Sequence, residues 1–358
     1  MERVLPGKPE PPGRSPEWTR TTVGVILIAM GLFALAALAW ALLGVLLLLF
    51  GAILAAVILH TLAAPIARLL HVPRVYALAV ASCIILAIAG GTVWLFQTQV
   101  QDQLAGVWLA ANTALPKIGQ RIGVPELTGD VVRSAGQWLT SGAALGRAAS
   151  IGMSFVGAIT SLVLVLFGGV YLAAEPELYR TGFIKLLPAG ARAAVADTMD
   201  VAGRALKLWF LGQLVAMAVT GTLTWLAMLI IGLPSPVALG LIAAVTEFIP
   251  LLGPFIGAAP ALLIGFSQGM PTFIWVAVAF IGIQQVESNV IQPLITNRSV
   301  SIPPALLLFS VIAFATLFGL SGVILAAPLT VCAYVAVAKL YVHRTLGEPV
   351  QVPGEKVG

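Results

Sequence analysis

The sequence predicts an all-α, polytopic integral membrane protein with about eight hydrophobic segments, and three observations lead there. Apolar residues make up 59% of the 358 residues, while Asp, Glu, Lys and Arg together make up 9%, against about 25% charged in a soluble domain. So few charges cannot cover a soluble surface, and the mean hydropathy of +1.03 agrees. The 36 glycines fit as well, because glycine is commoner in transmembrane than in soluble helices. Collagen, a disordered chain and a disulfide scaffold are excluded. The net charge of +5 comes from basic residues in short clusters beside apolar runs, the pattern that orients membrane proteins. A nucleic-acid binder would gather them on one solvated face, so the expected surroundings are a lipid bilayer and no nucleic acid. Cys83 and Cys332 each lie inside an apolar run and are read as packed, inert thiols.

Residues 1–20 are polar and proline-rich, which predicts a disordered cytoplasmic tail. Residues 21–59 carry no charge. One helix of that length would measure roughly 55–60 Å, about twice the hydrocarbon core, so two spans turning near Trp40–Gly44 are expected. A cleavable signal peptide ending at Ala37-Leu38-Ala39 is the weaker alternative, since its apolar core should hold only about 7–15 residues. An apolar run from Tyr76 to Phe96 completes three transmembrane helices within 21–96. Residues 97–148, with Gln97, Asp102, Lys117, Glu126 and Arg133 among them, predict an extracytoplasmic amphipathic segment broken near Pro116 and Pro125. Residues 149–174 predict a fourth transmembrane helix, and 175–207, with five basic and four acidic residues, a cytoplasmic charged loop. Residues 208–340 form the expected core transport region, and 341–358 a cytoplasmic tail. Basic residues in the short loops place both termini in the cytoplasm.

Between residues 208 and 338 the charged residues are Glu247, Glu287 and Arg298. Four apolar blocks separate there, at about 208–231, 237–269, 271–292 and 303–339. The second and fourth are too long for one ordinary span, and helix breakers interrupt each. One carries Glu247-Phe-Ile-Pro250-Leu-Leu-Gly253-Pro254; the other carries Gly319-Leu-Ser-Gly322 and then Pro328. Non-helical backbone at membrane depth needs protein or a watery cavity to satisfy it, and paired broken segments point to a transporter's substrate site. Both blocks are read either as kinked spans or as re-entrant hairpins entering from opposite faces of the 271–292 span. Arg298 is external in the first version and cytoplasmic in the second; the positive-inside rule favours the second.

Glu247 stands about 15 Å into its block, where an acid costs about 2.5–3.5 kcal/mol to insert. A proton or cation site justifies that cost; a carboxyl that caps the broken helix is the plainer alternative. Residues 284–293 read Gln-Gln-Val-Glu-Ser-Asn-Val-Ile-Gln-Pro. At about 100° per residue, Gln284, Gln285, Ser288, Asn289 and Gln292 share an arc of about 140°, with Glu287 roughly 60° beyond its edge. Such a stripe must face protein or water. Interhelical hydrogen bonds alone contribute only about 0.6 kcal/mol per contact, so a hydrated pathway beside the two acids is expected. Gly253-xxx-Gly257 and Gly265-xxx-Gly269 match the small-residue packing pattern and predict close helix contact. His60 and His71 have no Cys or acidic residue at ligand spacing. No P-loop, Gly-x-Ser-x-Gly elbow or His-Glu-x-x-His is present, so no catalytic residue, cofactor or metal site is read.

Residues 240–340 resemble the autoinducer-2 exporter family of bacterial permeases. The resemblance rests on Glu247 through Pro254, on Pro260, and on Gln284-Gln285-Val-Glu287-Ser-Asn289-Val-Ile-Gln292-Pro293. It continues through Pro304, Phe318-Gly319-Leu-Ser-Gly322 and Ala327-Pro328-Leu329. It implies a multi-pass permease of the bacterial inner membrane and a homo-oligomer such as a pentamer. Family members are linked to export of the quorum-sensing signal autoinducer-2, and some relatives to sodium/proton exchange. Thr296-Asn297-Arg298-Ser299 departs from the pattern, in which a lysine often follows the proline closely and a Gly-Arg pair comes after, so a cation role there rests on Arg298. The expected pathway residues are Glu247, Pro250, Gly253, Pro254, Gln284, Gln285, Glu287, Ser288, Asn289, Gln292, Pro293 and Arg298. The leading expectation is a secondary transporter that exports a small polar organic molecule on a proton or sodium gradient. A monovalent cation/proton antiporter and a non-transport membrane scaffold are the alternatives; an enzyme is not expected, because no nucleophile–base pair is recognisable.

Overall fold

The computed structural model describes residues 16–95, 160–296 and 303–348. The 97–148 segment, Asn297, Arg298 and most of both predicted tails lie outside the described residues. No strand occurs among those described, and the protein is an all-α, polytopic membrane protein. By length and composition five described helices could cross a bilayer: Leu42–Leu70, Arg74–Leu95, Ala189–Ile231, Met270–Leu294 and Pro304–His343, the last interrupted at Gly319.

The chain divides into two compact units, Met1–Leu47 and Leu48–Gly358. Helix α1 is assigned over Pro16–Leu70. It has no break at Trp40–Gly44, where the sequence predicts a turn. Gly44 is the only flexible residue there, and alone it costs a helix about 1 kcal/mol, too little to end an apolar run.

In the second unit α2 (Arg74–Leu95) follows a short turn, and α3 covers Thr160–Ala174. Leu59 and Ala63 of α1 pack on Ala77, Leu78 and Ala81 of α2 and on Ala173 of α3. Glycine permits the close approach of α3: a Cβ on Gly169 would lie 2.7 Å from that of Ala55. At Glu175 the chain bends by 88° into α4 (Pro176–Lys185), with proline at the first turn where its missing N–H matters least.

Helix α5 (Ala189–Ile231) has 43 residues, the longest element among the described residues of this unit. The predicted 175–207 loop is thus mostly helical. Its alanines favour helix, and its charges mark solvent rather than irregular backbone. Gly232, at φ 85°, ends α5 in a Schellman turn, where the Gly232 and Leu233 N–H groups both donate to the Met228 carbonyl.

The two long blocks both fold back. The first forms α6 (Pro236–Thr246) and α7 (Gly253–Gln268). Gly253 lies against Thr246 and Glu247, Gly257 against Ala243, and Ala261 and Ile264 cluster with Leu239. That register is an antiparallel hairpin. Helix α6 runs about 16 Å, half a bilayer core. Helix α8 (Met270–Val286) follows, continues through a π-helical turn at Glu287–Ile291, and ends at Gln292–Thr296.

Helix α9 (Pro304–Ala336) is two limbs joined at Gly319, whose φ of 61° and ψ of −141° no regular helix contains. A Cβ on Gly322 would collide with the Phe314 carbonyl, so the limbs touch. Buried residues of α9 all lie in the second limb, which packs Val331 and Val335 on Val201, Ala205 and Leu206 of α5 and on Leu54 of α1.

Candidate functional site

The site starts where α6 stops. Pro250 removes one donor and disfavours helix before it, and the six-residue break is held by tight turns. The Phe248 N–H donates to the Val245 carbonyl at 3.2 Å, that of Ile249 to Thr246 at 3.0 Å, and that of Gly253 to Ile249 at 2.7 Å. Leu251 sits at φ 71°, a left-handed conformation that costs a leucine about 1–3 kcal/mol. Close approach of α7 holds it there, and only glycine at 253 and 257 permits that approach. The predicted Gly253–Gly257 packing is therefore present. Gly265 likewise touches Val276 and Phe273 of α8; Gly269 instead makes the turn into α8 at φ 124°.

Glu247 forms the C-terminal end of α6 and is 3% exposed. Across from it, Glu287 opens the π turn of α8 and is 6% exposed. The two carboxyl groups lie within electrostatic range of each other. The Gln284 amide donates to Glu287 Oε2 at 3.3 Å. Glu247 Oε2 is buried without a hydrogen-bond partner. From α5, the Gln213 amide donates to the Glu247 backbone carbonyl at 2.6 Å, so three helices converge on this acid. Phe248, the next residue, meets the Trp209 ring edge-on at 5.9 Å between centroids, which anchors the hairpin tip to α5.

The predicted residues separate into two groups. Glu247, Pro250, Gly253 and Pro254 are together at the break, with Glu287 and Gln284 beside them. Gln285, Ser288, Asn289, Gln292 and Pro293 lie on the exposed side of α8, where the Asn289 amide donates to Gln285 Oε1 at 2.9 Å. The helical projection already carries this separation: at about 100° per residue Glu287 lies about 60° from Gln284 at one edge of the stripe, and the other amides lie on the far side of Gln284. Glu287 points inward instead of trailing the stripe. Both acids are shut from solvent, and among the described residues no open path lies beside them. A cavity of about 410 Å³ lies elsewhere, lined by Asp197, Thr198, Lys339, His343 and Arg344 among others. Arg298 lies outside the described residues.

Sequence reasoning missed Gln213, Thr220 and Thr224 of α5. The hydroxyl oxygens of the two threonines are buried without partners. Their signal was weak: isolated polar residues in an apolar block, with no breaker beside them. Of the two thiols, Cys332 packs into the core while Cys83 is exposed on α2, so the expected burial fails for Cys83. Among the described residues no group of three or more His, Cys, Asp or Glu side chains gathers in a way that could hold a metal.

A solvent-exposed crown of polar contacts forms where α4, the start of α5 and the C-terminal turn meet. Arg180 grips Asp200 through two bonds of 3.1 and 2.7 Å. Lys339 pairs with Asp197 at 3.2 Å, and Arg344 donates to the Gly190 carbonyl at 3.0 Å.

A family model described as "AI-2E family transporter" matches residues 26–341. Among curated proteins, the chain is 30% identical over 176 residues to the "Putative transport protein YueF" of Bacillus subtilis, 48% of each chain. It is 34% identical over 164 residues to the "Putative transport protein YrrI" of the same organism, 45% of each. A Mycobacterium tuberculosis relative, "Putative transport protein MT0215", is 29% identical over 199 residues, 53% of this chain and 51% of its own. The chain spans about half the length of the curated relatives it matches.

Proposed function

The chain belongs to the AI-2E transporter family, and from that premise we propose that it is a secondary transporter of the bacterial inner membrane. It exports a small polar organic molecule, of the kind autoinducer-2 represents, on a proton or sodium gradient. The observation that carries this proposal is the buried contact between Glu247 and Glu287 at the end of a half-length helix. Two carboxylates in contact and away from water repel strongly, and the carbonyl end of α6 adds partial negative charge. The pair therefore holds one proton or one monovalent cation between its members. Releasing that charge restores the repulsion and drives the tip of the α6–α7 hairpin away from α8. The π turn at Glu287 supplies slack for the movement, in keeping with how often such turns occur at functional sites. The closed burial of both acids corresponds to the occluded step of that cycle.

The exposed amides at Gln285, Asn289 and Gln292 need water or protein beside them within the membrane, which fits a substrate path or a neighbouring copy in a homo-oligomer. The test is gradient-driven flux in liposomes of purified Glu247→Gln protein. We expect the flux to vanish while the protein stays folded; unchanged flux removes the coupling role. The same carboxyl pair also suits monovalent cation/proton antiport with no organic substrate. Collapse of an imposed pH gradient on adding sodium alone would favour that second reading.

A further inference from the structure

Gln213, Thr220 and Thr224 share one face of α5: at about 100° per residue they fall within an arc of about 40°. The register of that face against α6 is fixed at two points. Gln213 reaches the Glu247 carbonyl, and Gly221 lies against Gly240 and Ala244. The polar row therefore starts level with the buried acid and runs roughly 16 Å back along α6 toward its first turn. Thr220 is 3% exposed and Thr224 fully buried, and neither hydroxyl has a partner. By contrast, the Thr61, Thr198, Thr222, Thr246 and Thr330 hydroxyls each donate to the carbonyl four residues back. At the acid end of the row, Glu247 Oε2 is likewise unpartnered.

A buried hydroxyl without a partner costs folding free energy, and valine would fill the same shape without that cost. Native proteins meet such groups with water where no protein partner reaches them. One turn beyond Thr224 the row is closed by Met228, which packs with Leu233, Leu239 and Ile264. Resting on the coupling role proposed above for the acid pair, we propose that Thr220 and Thr224 line the water route to Glu247. The route starts at the membrane face that carries the α5–α6 turn, and the Met228 cluster is its gate. Each hydroxyl can accept a hydrogen bond from one water and donate to the next, so protons pass along the row and leave it unchanged. With the gate closed, the acids are shut from solvent. Movement of the hairpin tip off α8 draws Leu239 of α6 away from Met228 and admits water to the row.

The test places single cysteines in the full chain, on a background without other cysteines. It reads their reaction with a cationic, membrane-impermeant methanethiosulfonate in liposomes under an imposed pH gradient. Thr220→Cys and Thr224→Cys should react when the reagent is on the side of the α5–α6 turn, as should Ser235→Cys in that turn. Leu226→Cys, on the exposed far side of α5, should stay unreactive. A trapped pH dye then follows proton flux. Thr220→Val and Thr224→Val should each slow it about two- to tenfold, the worth of one hydrogen bond. Thr220→Ser and Thr224→Ser, which keep the hydroxyl, should sustain it. The valine variants should unfold no more easily than the wild type, which excludes lost packing as the cause. Thr220→Cys and Thr224→Cys that stay unreactive, or valine variants with undiminished flux, overturn the route. If Glu247→Gln still abolishes flux in that case, the coupling role of the acids stands without it. Reactive cysteines and slowed valine variants beside undiminished flux in Glu247→Gln instead remove the coupling role and leave the row as a water path that bypasses the acid.

Discussion

Gly257 offers a sharp test of the hairpin register. A methyl group there would lie 2.9 Å from Ala243 Cα and 2.7 Å from Thr246 Oγ1, whereas relaxed carbon contacts sit at about 3.5–4.0 Å. The obstacle on one side is backbone, so α7 itself must retreat by about 0.6 Å or more. Overpacking of this kind costs about 1–3 kcal/mol. Alanine regains about 0.8–1.0 kcal/mol of helix propensity, leaving Gly257→Ala up to about 2 kcal/mol less stable. Gly282, in α8, is the matched control, because a Cβ there meets nothing within 4 Å and the same exchange should stabilise by about 0.5–1 kcal/mol. The two variants should thus differ by about 0.5–3 kcal/mol, roughly twofold to somewhat over a hundredfold in unfolding equilibrium. Reversible unfolding in mixed micelles, followed by circular dichroism, measures the gap. Equal stabilities would refute the antiparallel contact between α6 and α7.

Other outcomes follow from the same geometry. Ser235→Cys and Gln268→Cys, on a background without other cysteines, should react with a membrane-impermeant maleimide from the same side; reaction from opposite sides would mean that the hairpin spans. Gly319→Ala should destabilise by about 1–3 kcal/mol, because φ of 61° with ψ of −141° is strained for any side chain; a neutral effect in the same unfolding assay would contradict the fold-back. Arg180→Ala breaks an ion pair whose side chains are 32% and 46% exposed, so its cost should stay under about 1 kcal/mol and fall further in high salt. Glu287→Gln should impair gradient-driven flux as Glu247→Gln does, and the double variant should be little worse than either alone, since partners in one contact are non-additive. Fully additive losses would separate the two acids.

Both hairpins were legible from length and punctuation: each block exceeds one span, and Pro250, Gly253 and Gly319 interrupt them where the backbone turns. The two acids were legible as anomalies of charge in an apolar stretch. Their contact was not, because it depends on how the end of α6 packs against α8, forty residues further along the chain, which no local spacing encodes. Charge density misled in the other direction at 175–207, where solvated charges line a helix and were read as loop. Trp40–Gly44 misled through length, since an uncharged run long enough for two spans was assumed to need a turn. Gln213 escaped notice because its role is to reach a backbone carbonyl, and any neighbouring position on α5 would look the same in the sequence.

Helix α5 measures roughly 65 Å and contains no proline between Ala189 and Ile231. One end is clamped to the C-terminal turn through Lys339 and Arg344, and partway along its length Gln213 holds the carbonyl of Glu247. A rod without a joint cannot tilt at one end and stay still at the other. Any force applied outside the bilayer, by a binding partner or a change in the ion pairs, is delivered as leverage on the floor beneath the acids.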